Sequence, residues 1–283
     1  MGYAREVLVS TDWVERHGGD AGVVVAEVDE NTDLYGEGHV PGALALHWRA
    51  DLQQQVVRDV VEQPEFEALL GGKGIAADTT VVLYGDKNNW FAAYAYWYLK
   101  LYGHADVRIM DGGRQKWIDE GRELSTATPS PPRCAYTARS RDDSIRMRRD
   151  QVREVVAGGG HRLVDVRSPA EYAGELIAPP GYEQEGAQRA GHIPGAASIP
   201  WAEAVQDDGT FKPADDLRAL YAGRGITPDA PVTAYCRIGE RSAHTWFVLH
   251  ELLGYPDVRN YDGSWTEWGS LVDVPIEIGL GRR

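Results

Sequence analysis

Along this chain, short runs of β-branched and aliphatic residues alternate with stretches whose apolar positions recur at three- and four-residue intervals. The runs at 23–28, 81–84, 162–166 and 232–235 are nearly continuous in apolar residues. That is the pattern of strands covered on both faces. After Tyr235 a short polar loop leads into Ala243, Trp246, Phe247, Leu249 and Leu253 at helical spacing. The order strand, loop, helix predicts an α/β fold whose mainly parallel sheets are flanked by helices.

The pattern occurs twice. Tyr-Gly-His-Ala-Asp-Val-Arg-Ile-Met-Asp-Gly-Gly (102–113) matches Leu-Gly-Tyr-Pro-Asp-Val-Arg-Asn-Tyr-Asp-Gly-Ser (253–264) at a spacing of 151, which Trp117 and Trp268 keep. Upstream, His39-Val-Pro-Gly-Ala matches His192-Ile-Pro-Gly-Ala and Trp48 matches Trp201, both at a spacing of 153. A period this long means two tandem domains rather than a solenoid. Ser-Thr-Ala-Thr-Pro-Ser-Pro-Pro near the middle lacks either periodicity and fits a linker. The expected organisation is a first domain at 1–121, a linker at 122–145 and a second domain at 146–283.

Composition narrows the function. The chain has 283 residues, 43% of them hydrophobic, enough for two ordinary cores. No run of about 18 apolar residues occurs, so no membrane span is expected. The N-terminus lacks the apolar segment and cleavage site of a secretory signal, which points to the cytoplasm. A net charge of −14 opposes a phosphate backbone, so nucleic acid is not an expected partner. Only Cys134 and Cys236 are present, too few for a disulfide framework or a four-cysteine zinc site. No metal and no cofactor is expected.

A duplication separates scaffold from chemistry, because features common to both copies serve the fold. His39 and His192 each precede a Pro-Gly turn and are read as packing residues; Asp111, Asp262, Trp117 and Trp268 fall to the same argument. Cys134, in the linker, is read as a solvated, inert thiol. What survives is the segment after the strand: Gly85-Asp-Lys-Asn-Asn-Trp-Phe in the first copy, Cys236-Arg-Ile-Gly-Glu-Arg-Ser in the second. Only the second copy has a nucleophile. At the C-terminal end of a parallel strand, loop N–H groups and the next helix's N-terminus face Cys236. With Arg237 and Arg241 beside it, the thiolate is the expected resting form, and the two guanidinium forks suit a sulfonate or carboxylate.

The loop resembles the six-residue active-site loop of rhodaneses. Ala-Tyr-Cys-Arg-Ile-Gly-Glu-Arg-Ser, Tyr-Asp-Gly-Ser-Trp-Thr-Glu-Trp (261–268), Gly-His-Ile-Pro-Gly-Ala (191–196) and Asp165-Val-Arg-Ser-Pro together resemble actinobacterial thiosulfate sulfurtransferases over nearly the whole chain. The resemblance implies an inactive first domain and a catalytic second one. It also implies transfer of the outer sulfur of thiosulfate, through a Cys236 persulfide, to cyanide or a thiol, with release of sulfite. Cys236 is then the catalytic residue, and Arg237, Ile238, Gly239, Glu240, Arg241 and Ser242 bind substrate, Arg241 as a direct contact. The sequence departs from some animal relatives, which have a cation two places after the cysteine and an arginine where alignment puts Glu171; here Ile238 and Glu171 stand there. Glu240 is expected either to hold one arginine or to face solvent.

Three rivals are weighed. A 3-mercaptopyruvate sulfurtransferase generally has small residues after the cysteine, and Arg237 argues against it. A cysteine phosphatase or arsenate reductase needs Cys-x5-Arg, whereas Cys236-x4-Arg241 is one residue shorter and closes too tightly for phosphate. A redox-sensing module would need a resolving cysteine near Cys236.

Overall fold

A computed structural model describes residues 2–183 and 186–279. Their contacts divide into two units. The first comprises Glu6–Asp142 together with Val205–Phe211; the second comprises Asp143–Ala204, the chain from Lys212 onward, and the N-terminal residues up to Arg5.

In the first unit the strands are β1 (Leu8–Val9), β2 (Val23–Glu27), β3 (Leu44–Ala45), β4 (Thr80–Tyr84) and β5 (Val107–Met110), in the spatial order β1-β5-β4-β2-β3. In the second they are β6 (Arg146–Met147), β7 (Arg162–Asp165), β8 (Ala197–Ser198), β9 (Val232–Tyr235) and β10 (Val258–Tyr261), in the order β6-β10-β9-β7-β8. Every strand pair is parallel. The two orders are the same order, so the repeat in sequence is a repeat in topology. The expected α/β architecture of two parallel sheets flanked by helices is what the chain adopts.

The helices of the first unit are α1 (Thr11–His17), α2 (Leu34–Glu37), α3 (Gln63–Gly72), α4 (Asp86–Leu101) and α5 (Gly113–Asp119); those of the second are α6 (Arg149–Val156), α7 (Pro169–Ala173), α8 (Ala214–Ala222), α9 (Glu240–Trp246) and α10 (Ser264–Trp268). The central strands are as apolar as they are because both faces are covered. Val81, Val82, Leu83 and Tyr84 in β4, and Val232, Thr233, Ala234 and Tyr235 in β9, are all buried. The helical pattern after Tyr235 is met in two parts, since α9 passes at Phe247–Leu252 into a π-helical turn.

The residues common to both copies do structural work. Tyr84 Oη accepts the backbone N–H of Val40 at 2.8 Å, and Tyr235 Oη accepts that of Ile193 at 3.0 Å. Each bond ties a His-x-Pro-Gly turn to the central strand. His39 stacks on Tyr35 and His192 on Tyr172, with centroids 3.8 and 3.6 Å apart, and each Nδ1 meets that tyrosine's carbonyl. Asp111 accepts the Phe211 N–H at 2.9 Å, while Asp262 pairs with Arg146 at 3.1 Å.

The stretch from Arg122 to Asp142 belongs to the first unit: it has no helix, and the Cys134 N–H donates to the Gly71 carbonyl and the Arg139 N–H to that of Tyr102. Cys134 itself is exposed.

Candidate active site

Strand β9 ends at Tyr235 and helix α9 begins at Glu240, so the four residues between them turn the chain at the C-terminal edge of the sheet. Cys236 opens the turn and is fully buried. Gly239 closes it with φ +99°, in the region that favours glycine. A Cβ at this position would lie 2.7 Å from the Cα of Asp262, so a side chain is excluded by space as well as by backbone conformation. The turn aims the Gly239 N–H at Cys236 Sγ, 3.1 Å away. The N–H of Cys236 is itself held by Ser264 Oγ at 3.0 Å. Ser264 has φ +50° and donates its own proton to the Tyr261 carbonyl at 2.6 Å. It keeps a strained backbone, and its hydroxyl bridges two backbone groups.

The loop residues expected from sequence are brought together. Arg237, Gly239, Glu240, Arg241 and Ser242 are buried and Ile238 is half-buried. Their charges are arranged differently from the expectation. Glu240 does not face solvent: its carboxylate is fully buried, accepts the Cys236 thiol at 3.2 Å through one oxygen, and lies 3.5 Å from Arg237 Nη2 through the other. Arg241 gives both Nη groups to Glu171, at 3.0 and 3.1 Å, rather than presenting them together to a ligand. Glu171 thus acts as the anchor of Arg241.

Glu171 has a second task. Ser168-Pro-Ala-Glu171 forms a capping box at the start of α7, with the Ser168 N–H and hydroxyl both donating to Glu171 Oε2 and the Glu171 N–H donating back to Ser168 Oγ. Despite its burial, the Arg241 guanidinium and these donors hold the Glu171 carboxyl down to about 2. Next to it Arg167 is buried against Asp165 at 2.6 Å and sits 4.5 Å from the centre of the Trp265 ring.

The surroundings of the sulfur run against the expected thiolate. Burial pushes the Cys236 thiol above its ordinary value, and the Glu240 carboxylate adds to the rise; Arg241 and the Ser242 N–H and hydroxyl oppose it without reversing it. The helix N-terminus and two arginines alone would favour the anion. What the sequence pattern left out is that Glu171 neutralises one arginine and Glu240 stands beside the sulfur.

Glu171 was noted from sequence only for standing where some relatives carry an arginine, and two residues near the loop, Ser264 and Tyr182, were not singled out. Glu171 carried a signal in the Ser-x-x-Glu spacing of a capping box. Ser264 carried one in the repeat, where Gly113, with φ +61°, stands at its place in the first copy. Tyr182 carried none: its ring lies 4.3 Å from the Arg237 guanidinium carbon, and it comes from the segment between α7 and His192 that is much longer than its counterpart between α2 and His39.

Among the described residues no group of His, Cys, Asp and Glu is arranged to hold a metal ion, and no helix is long and apolar enough to cross a membrane.

The rhodanese-like domain family matches the chain twice, at residues 10–120 and 149–271. The chain is 60% identical over 283 residues to the sulfur carrier protein TtuD of Thermus thermophilus, covering 99% of both proteins. It is 58% identical over 272 residues to a protein of Saccharopolyspora erythraea provisionally named thiosulfate sulfurtransferase, covering 96% of both. Among solved structures it resembles EanB in a state carrying a cysteine persulfide with ergothioneine, with a TM-score of 0.81 and 27% identity over 96% of this chain and 70% of that one. The chain belongs to the rhodanese-like family, with two copies of the domain in tandem, and the family supports a sulfurtransferase.

Proposed function

We propose that this protein is a thiosulfate sulfurtransferase of the cytoplasm that works through a Cys236 persulfide, with neither metal nor cofactor. The observation that carries the reading is the turn after β9, where a buried cysteine meets an N–H aimed at its sulfur at the C-terminal end of a parallel strand. Cys236 attacks the sulfane sulfur of thiosulfate, the S–S bond breaks, and its electron pair leaves on sulfite. The acceptor, cyanide or a thiol, then takes the outer sulfur from Cys236. Arg237 and Arg241 supply positive potential for the anionic donor, while Ile238, Gly239, Glu240 and Ser242 complete the cradle around the transferred sulfur. The sulfur-carrier name of the Thermus relative favours a thiol as the physiological acceptor.

Arg237 favours thiosulfate over 3-mercaptopyruvate as donor, since a guanidinium beside the cysteine suits a doubly charged sulfonate. The test is a side-by-side assay of both donors with cyanide as acceptor and Cys236→Ala as control. Thiocyanate formation from thiosulfate, faster than from 3-mercaptopyruvate and lost in the variant, is the expected result. Retention of activity by the variant overturns the role of Cys236, and a preference for 3-mercaptopyruvate overturns the donor.

A further inference from the structure

We propose that Glu240 is the proton acceptor for Cys236, and that the pair exchanges one proton in each half of the sulfur-transfer cycle. The inference rests on the sulfurtransferase reading above and adds a catalytic residue to it.

The geometry points this way from three directions. The Cys236 thiol donates to Glu240 Oε2 at 3.2 Å, and both groups are fully buried, so water does not compete for the proton. The surrounding charges leave the carboxylate as the base next to the sulfur. Arg237 lies 3.5 Å from its other oxygen, Arg241 is bound to Glu171 of α7, and across Gly239 the Asp262 carboxylate is bound to Arg146. The first copy supplies the comparison: at the place of Glu240 stands Asn89, whose Oδ1 accepts the Gly85 N–H at 3.0 Å. An amide cannot take a proton at any ordinary pH, and the copy that has it also lacks the cysteine.

The step balances. In loading, the Cys236 S–H proton moves to Glu240, the thiolate forms a bond to the sulfane sulfur of thiosulfate, and the pair of the broken S–S bond departs on sulfite. The site passes from thiol plus carboxylate to persulfide anion plus carboxylic acid. Its charge is unchanged, so Arg237 faces one negative charge before and after. In unloading, the acceptor nucleophile bonds to the outer sulfur, Cys236 leaves as thiolate, and Glu240 returns the proton. A thiol pushed up by burial and by its carboxylate neighbour thereby becomes a nucleophile by giving its proton to that same carboxylate.

Two measurements test this. Difference infrared spectroscopy of the full chain on addition of thiosulfate should show the carbonyl stretch of a new carboxylic acid, in step with the gain of one sulfur atom at Cys236 seen by mass spectrometry. That band should be absent in Glu240→Gln. In stopped-flow loading, Glu240→Gln should be slower by about 100-fold, the scale of general acid–base catalysis, and should regain rate as pH rises and hydroxide removes the thiol proton; Glu240→Asp should recover part of the loss at neutral pH. Sulfur gain in the unsubstituted chain without the carbonyl band overturns the role of Glu240 and leaves the sulfurtransferase reading standing. Absence of sulfur gain overturns both. The infrared measurement uses the native chain and does not depend on the folding of a variant.

Discussion

The turns after β4 and β9 occupy the same place in the same topology, yet one is closed upon itself and the other is built around a sulfur atom. In the first, Asn89 takes the Gly85 N–H and Asp29 takes the Asp86 N–H at 2.7 Å, so the groups that could bind an anion are spent on side chains. Lys87, Asn88 and Asn89 follow in left-handed conformation, with φ of 44°, 57° and 65°. In the second, Glu240 and Ser264 take the places of Asn89 and Gly113, and the Gly239 N–H is turned to Cys236 Sγ. The charges beneath are inverted as well. Asp165-Val-Arg167 is an ion pair after β7; Glu27-Val-Asp29 after β2 puts a second carboxyl where Arg167 stands, and Arg114 binds Glu27 at 2.7 Å from elsewhere. A shared fold therefore does not fix the chemistry at its strand ends; the side chains that consume or release the loop N–H groups do.

The largest effect expected from disturbing this contrast comes at Glu171. Glu171→Ala leaves the buried Arg241 guanidinium uncompensated and removes the capping box of α7, which should lower stability by about 3–5 kcal/mol. Denaturant unfolding followed in the second unit measures it, and a loss under about 1 kcal/mol would break the account of Arg241 as an anchored cation. Next comes Gly85→Cys in a Cys236→Ala background. A Cβ at Gly85 would run into the Val28 carbonyl, so the substitution should cost about 1–3 kcal/mol, and mass spectrometry should find no sulfur loaded on the new cysteine. Loading there would show that the first copy lacks only its nucleophile.

A smaller effect concerns pH. Burial, and then the neighbouring Glu27, push the Asp29 carboxyl up to about 8 from its ordinary value of 3.8. Between those values the folded state holds a proton the unfolded state has released, so this group's contribution to stability is full at low pH and is lost as pH rises toward 8. Asp29→Asn should therefore raise the Tm of the first unit by a few degrees at pH 9, equivalent to about 1 kcal/mol, and leave it nearly unchanged at pH 4. Thermal unfolding at the two pH values decides it; an equal shift at both contradicts the burial argument. The smallest change in stability is expected for Ser264→Gly. Relief of the left-handed strain, worth about 1 kcal/mol, opposes the loss of the hydroxyl's bonds to the Cys236 N–H and the Tyr261 carbonyl, so the net change should stay within about 1 kcal/mol. Sulfur loading should nevertheless slow, because Cys236 loses its tether, and an unchanged loading rate would remove Ser264 from the site.

Much of this was legible in the residues alone. The doubled strand pattern and the His-x-Pro-Gly turns carried the tandem topology because buried parallel strands require unbroken apolar runs. The edge strands β1, β3, β6 and β8 were not legible, since two residues are too few to display a period. Cys236 stood out because its copy has glycine there. The pairing of Arg241 with Glu171 lay beyond reach: the two are 70 residues apart in sequence, and nothing in spacing tells an arginine which carboxylate it will meet. The upward push on the Cys236 thiol lay beyond reach for the same reason, because burial and the approach of Glu240 are properties of the folded turn and not of the motif.

The lack of room for a side chain at Gly85 also bears on how the first copy could regain a nucleophile. A single codon change at Gly85 would supply a thiol but not a place for it, since the new side chain would press on the Val28 carbonyl. The chain just after β2 would have to withdraw before a sulfur atom found room. Asn89 and Asp29 would have to change as well, because they take the N–H groups that a sulfur at this place would need.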